Sequence, residues 1–155
     1  MNEVVSEKGE LLILGRRHIA IDAEALCRHL DNCVGKKVAE VIMNNHEVQK
    51  GKEDAGEMQR ENPQARVPDL LDLLIEEDRI SGMGITRINQ PEGTSGPIIV
   101  EISNPAVAKT EGSAKALAFS YWAGALSLLF GRELVVGDVT FDQSMKQLKG
   151  KLVPL

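Results

Sequence analysis

Residues 113–131 read SAKALAFSYWAGALSLLFG, and this stretch decides how the rest of the chain must be arranged. It holds the only Trp and the only Tyr of the chain, two of its three Phe, and one charge, Lys115. A helix built from it is apolar on nearly every face and needs cover all round. Gly131 supplies the stop, because a residue without Cβ takes the left-handed conformation that closes a helix. Thr110 or Ser113 offers a hydroxyl to cap the start. The apolar run 116–130 falls short of the roughly 20 residues a bilayer span needs, so the expectation is a buried globular helix with no membrane span.

Within it, Ala116, Ser120 and Gly124 recur every fourth residue and form a shallow groove that admits another backbone. Phe119, Trp122, Leu126 and Phe130 face another way. That aromatic side is either plain core or the wall of a pocket for an apolar ligand, with Tyr121 OH and Trp122 NH as polar handles.

Working outward, 155 residues with 43% hydrophobic and 26% charged suit one globular domain spanning 1–155. The net charge of −5, with no basic cluster, argues against a nucleic-acid binder. Cys27 and Cys33 are too few and too close for a disulfide framework, which suits a reducing compartment. The polar start MNEVVSEKGE lacks a signal-peptide pattern, so a cytoplasmic location is expected, with 1–9 as a flexible tail.

Residues 11–21, LLILGRRHIAI, predict one bent strand or two short ones, interrupted at Gly15-Arg16-Arg17. Asp22 then caps a helix whose apolar face is expected to be Leu26, Leu30, Cys33, Val34, Val38, Val41 and Ile42. Gly35 inside that pattern marks either a break or a close helix contact. The polar run 44–63 predicts a solvated helix, a loop or a flap, with Lys50 to Asp54 as a solvated face. Pro68 and Asp69 open a further helix through Leu70, Leu71, Leu73, Leu74 and Ile75, ended by Gly82 and Gly84. Neighbouring residues on a helix point in different directions, so Glu76, Glu77 and Asp78 read as surface solvation and not as an acid/base cluster. His18, His29 and His46 show no zinc-site spacing with cysteines, so no metal is expected.

Residues 85–89 read as a strand, 90–97 as a reversing loop, and Ile98, Val100 and Ile102 as the buried side of an antiparallel strand ended by Asn104-Pro105. Residues 133–142 and 145–153 form a last hairpin around Asp142-Gln143-Ser144. The order strand, helix, helix, strand, strand, helix, strand, strand favours an α+β layer, with helices on one face of an antiparallel sheet.

The segments GRRHIAIDAEALCRHL, VGKKVAEVI, PIIVEISNPAVA and FSYWAGALSLLFGRELVV together resemble the vinyl-4-reductase domain family, also called predicted hydrocarbon-binding proteins. The resemblance covers roughly 11–153 and consists of diffuse hydrophobic patterns. It implies a fold similar to TRAPP trafficking subunits and haem nitric-oxide-binding domains: helices on a twisted four-stranded antiparallel sheet around the 113–131 helix, often as a homodimer. For function it implies binding of a small apolar molecule, hydrocarbon or lipid-like, in some cases as a sensory module.

Many relatives carry a cysteine pair in the last hairpin, absent here, and the Tyr-x-Ser-x-Arg pattern of haem-binding relatives is not reproduced by Phe119-Ser120-Tyr121. No cofactor is therefore expected. Carried over residue by residue, the resemblance places Tyr121, Trp122, Leu126 and Phe130, with Val107 from the preceding loop, on the pocket side. The alternatives are a structural homodimer or assembly subunit and a reductase of a vinyl-bearing pigment precursor. For the latter, neither a Gly-rich dinucleotide turn nor a nucleophile constellation is visible, so no catalytic residue is assigned.

Overall fold

Asp22 accepts a hydrogen bond from the Ala25 N–H at 2.9 Å and so starts α1, Ala23–Val34. The computed structural model describes residues 11–13, 16–18, 21–89 and 96–155, the first two segments as backbone only. Those two are β1, Leu11–Ile13, and β2, Arg16–His18, paired antiparallel. Of the two readings of 11–21, the pair of short strands is the one that forms. The expected tail at 1–9 lies outside the described residues.

Gly35, at φ +83°, ends α1 and starts α2, Lys36–Glu61. The glycine is therefore a break, and α2 runs through most of the polar segment 44–63. The expected apolar face is corrected: Leu26, Val34, Val38, Val41 and Ile42 are exposed, Val41 at 59%. The buried stripe of α2 is instead Ala39, Met43, Glu47, Gly51, Ala55 and Met58, with Asp54 beside it.

Close approach to a neighbour explains the exchange. α3, Val67–Ile80, carries Pro68 in its first turn, Asp69 accepts from the Arg66 N–H at 3.1 Å, and the helix ends at Ser81 before Gly82. β3, Ile85–Asn89, and β4, Ile98–Ser103, follow, and most of the loop expected between them, 90–95, lies outside the described residues. Then comes α4, Gly112–Phe130, closed by Gly131 in the left-handed region at φ 63°, ψ 30°.

Against α4, the Gly124 position meets the α2 backbone: a β-carbon there would lie 2.1 Å from the Val48 carbonyl oxygen. Reciprocally, a β-carbon on Gly51 would lie 2.1 Å from the Tyr121 carbonyl oxygen. Higher along the groove, Ser120 Oγ donates to Asn44 Oδ1 at 2.8 Å, and Lys115 Nζ lies 3.3 Å from Glu40. α2 thus lies along the Ala116, Ser120, Gly124 groove and fills it at Gly124, while Ala116 and Ser120 line a hollow of about 420 Å³ with Val41 and Val136. Larger apolar side chains would hold the two backbones apart at Gly124, and Val38 and Val41 of α2 lie exposed, while Val48 packs partly buried against the core.

The start of α4 departs from expectation in one detail. Neither Thr110 nor Ser113 caps it through a hydroxyl; Asp31 of α1 reaches across and accepts from the Ser113 N–H at 3.0 Å. Ser113 Oγ donates instead to the Cys27 carbonyl at 3.1 Å, tying α1 to α4 a second time.

β5, Leu134–Asp142, and β6, Gln147–Pro154, complete the chain, and Asp142 Oδ1 organises their turn by accepting from the Ser144 and Met145 N–H groups. The sheet is antiparallel throughout in the order β3-β4-β6-β5, with Ile98 opposite Leu152, Val100 opposite Gly150 and Ile102 opposite Leu148. Its inner face packs on α4. Gly150 leaves room for the Phe119 ring, which a β-carbon would meet at 2.5 Å. With the sheet on one side and α2 on the other, all but four residues of α4 are buried. The α+β architecture, helices with a four-stranded antiparallel sheet, is the one expected; the break at Gly35 makes four helices among the described residues where the expected order held three.

Candidate functional site

Four helices converge on a cavity of about 550 Å³ beside Tyr121. α4 contributes Leu117, Ala118 and Tyr121, which share one face at three- and four-residue spacing. α1 and the residue before it contribute Ala23, Leu26 and Ile21, and the turn after α3 contributes Ser81, Gly82 and Met83. These make a largely apolar wall. The adjoining wall is ionisable: His46, Glu47 and Lys50 from α2, and Glu77 and Asp78 from the last turn of α3, where the Met83 N–H donates to the Asp78 carbonyl at 3.2 Å.

Tyr121 sits where the two walls meet, 8% exposed, with Trp122 edge-on at 5.3 Å between ring centroids and 88° between planes. Lys50 Nζ lies 4.7 Å above the centre of its ring, a cation–π placement, and 2.6 Å from Asp54 Oδ2. Burial holds the Tyr121 hydroxyl well above its ordinary pKa, reinforced by the charges of Asp54, Glu77 and Asp78 and by a hydrogen bond to Asp54. The phenol is therefore neutral and serves as a hydrogen-bonding group.

Asp78 accepts a hydrogen bond from Thr86 Oγ1 at 2.6 Å. Burial pushes its pKa up to about 6; the Thr86 bond and Lys50 pull it down, while Glu77 and Glu47 push it up. At neutral pH it carries its charge, close to the point of losing it. Glu77 is 5% exposed and Glu47 8%, the latter 2.9 Å from His46 Nδ1.

Two sequence expectations are corrected by this wall. Glu77 and Asp78 do not belong to a solvated surface. Successive helical side chains diverge by about 100°, but a cavity wrapping the end of α3 is wide enough to meet both. Likewise the Lys50 to Asp54 run is only in part a solvated face: Lys50 and Glu53 are exposed, but Gly51 and Asp54 are buried and Lys50 turns its ammonium over Tyr121. Among the described residues, no three His, Cys, Asp or Glu side chains are grouped so as to hold a metal ion.

Of the five residues expected at a pocket, Tyr121 lines this cavity. Val107, Trp122 and Leu126 are buried in the core at 2%, 1% and 0% exposure, and Phe130 is half-buried against that core. Trp122 reaches the cavity only through its contact with Tyr121. The ionisable wall was missed in the sequence. Its one advance signal is the spacing of His46, Glu47, Lys50 and Asp54, which puts ionisable groups on the side of α2 away from the valines.

No family model and no curated protein matches the chain. Among solved structures, its fold is similar to the phenol-responsive sensory domain of the transcription activator PoxR, determined with phenol. The TM-score is 0.70, the identity 13%, and the match covers 98% of this chain and 84% of that one. At that identity the likeness is one of fold. No helix among the described residues is long and apolar enough to cross a membrane.

Proposed function

We propose that this chain is a small-molecule-binding module of the sensory kind, one domain acting in the cytoplasm, that holds a ligand with a substantial apolar part in the cavity beside Tyr121. The observation that carries this reading is the cavity itself: about 550 Å³, within the range of small-molecule sites, with an apolar wall and a few convergent polar groups. The fold likeness to a sensory domain that responds to phenol supports it. Trp122, Leu126, Phe130 and Val107 act from behind the lining, Trp122 by fixing the ring plane of Tyr121. We also assign the chain to the vinyl-4-reductase domain family, on the sequence segments quoted above and on the four-stranded antiparallel sheet.

The test uses protein purified without detergent. Mass spectrometry of the denatured chain should find a compound with a substantial apolar part, and Leu26→Trp, which fills the cavity from the exposed side of α1, should lose that compound while keeping its melting transition. Wild-type protein that carries no compound and whose melting is unmoved by any small aromatic or aliphatic ligand would end this reading.

A second reading, the homodimer, rests on a separate observation. Val38, Val41 and Ile42 form an exposed apolar stripe along α2, with Val34 exposed at the end of α1, and a second copy of the chain would cover it. Val38→Asp should then halve the mass seen by sedimentation; an unchanged mass would refute the stripe as the interface.

A further inference from the structure

We propose that the ligand of this cavity is an amphiphile with a protonated amine at its polar end, received by Asp78 and Glu77, with its hydrocarbon against Leu26, Met83 and Leu117. The inference rests on the reading that the cavity binds a small molecule, and it names the class. The cavity is lined both by apolar side chains and by carboxylates, so a ligand filling it meets two unlike surfaces.

Charge decides the nature of the polar end. Glu47, Glu77 and Asp78 line the cavity, and Asp54 adjoins Tyr121. Facing them are Lys50 and, when protonated, His46. Lys50 is already engaged at 2.6 Å with Asp54, and His46 at 2.9 Å with Glu47. The α1 and α4 linings, Ala23, Leu26, Leu117, Ala118 and Tyr121, add no cation, nor do Ser81, Gly82 and Met83. The α3 end therefore faces a ligand as a negative, acceptor-rich surface.

A hydrocarbon filling the whole space would strip water from ionised Asp78 and give nothing back. An anionic head would meet like charge. A hydroxyl offers a single donor and no charge, whereas an ammonium offers three donors and an opposite charge to a carboxylate already oriented by Thr86.

The experiment compares three ligands sharing a phenyl ring, 2-phenylethylamine, 2-phenylethanol and 3-phenylpropanoate, by calorimetric titration of the full chain at pH 7.5. The amine is expected to bind about tenfold tighter than the alcohol, as a charge-assisted hydrogen bond implies, with the carboxylate weakest. Asp78→Asn should lose far more of the amine's affinity than of the alcohol's. Glu77→Gln and the wild-type ranking decide the matter if that variant does not fold. An alcohol that equals or outranks the amine on wild-type protein overturns the amine and leaves the binding module standing. Failure of all three and of ethylbenzene, on folded protein, overturns both.

Discussion

α2 and α4 lie against each other along most of their length, yet they are opposite in composition. α4 is apolar on all sides and buries nearly everything it has; α2 is polar, exposes Val38, Val41 and Ile42, and buries glycine, alanine, two methionines and carboxylates. The difference teaches that closeness of backbones, not hydrophobicity, selected the buried face of α2. At Gly51 and Gly124 the helices approach until one carbonyl oxygen occupies the space of the other's missing β-carbon. Where the axes are that near only glycine fits, with Ala39 and Ala55 and the unbranched Met43 and Met58 further along the buried stripe, and ionisable groups flanking it line the cavity.

The largest effect expected on the α4 side is from Trp122→Ala. Removing a ring that is 1% exposed should cost about 3–5 kcal/mol in denaturant unfolding. A loss under about 1 kcal/mol, typical of a tolerant surface site, would show that Trp122 is not core. At the seam between them, Gly51→Ala on α2 and Gly124→Ala on α4 each drive a methyl into a backbone carbonyl, and about 3 kcal/mol, the upper end for overpacking, is expected from each. If both variants melt with wild type, the seam is looser than described.

Asp78 sharpens the comparison through pH. Its pKa in the folded chain is raised to about 6, from an ordinary 3.8. The folded state therefore holds a proton that the unfolded chain gives up first, so this contribution to stability is complete below about pH 4 and is lost as pH rises through about 6. Asp78→Asn should be the more stable protein at pH 8, by on the order of 2 kcal/mol, and the gap should close towards pH 4. A gap independent of pH would remove Asp78 from the buried wall.

The smallest effect falls on the same helix as the seam. At Gly56 a β-carbon would meet Leu128 Cδ2 at 3.4 Å, an ordinary contact with a flexible side chain. Gly56→Ala should therefore stabilise, by about 0.5–1 kcal/mol of helix propensity. The same substitution made at 51 and at 56 is expected to change stability in opposite directions.

These contrasts also explain what was legible in the residues. Helix α4 could be read because every position repeats one message, and β4 because Ile98, Val100 and Ile102 alternate strictly with less buried partners. The burial of α2 could not, since its valines follow a helical period as well as its small residues do, and only the partner decides between the two. The cap at Ser113 was hidden for a similar reason: its acceptor, Asp31, lies far back in the sequence. The site was half legible. Tyr121 announced itself as an aromatic with a polar handle, whereas Glu47, Glu77 and Asp78 resemble any surface carboxylate until tertiary structure brings them to one hollow.

The seam between Gly51 and Gly124 has a mechanical consequence. Two helices interlocked at backbone distance have no slack, so the floor of the hollow behaves as a rigid anvil. Under the proposed function, ligands of different girth would be accommodated by the thinner pieces above it: α1, joined to α2 through Gly35, and the turn 81–83.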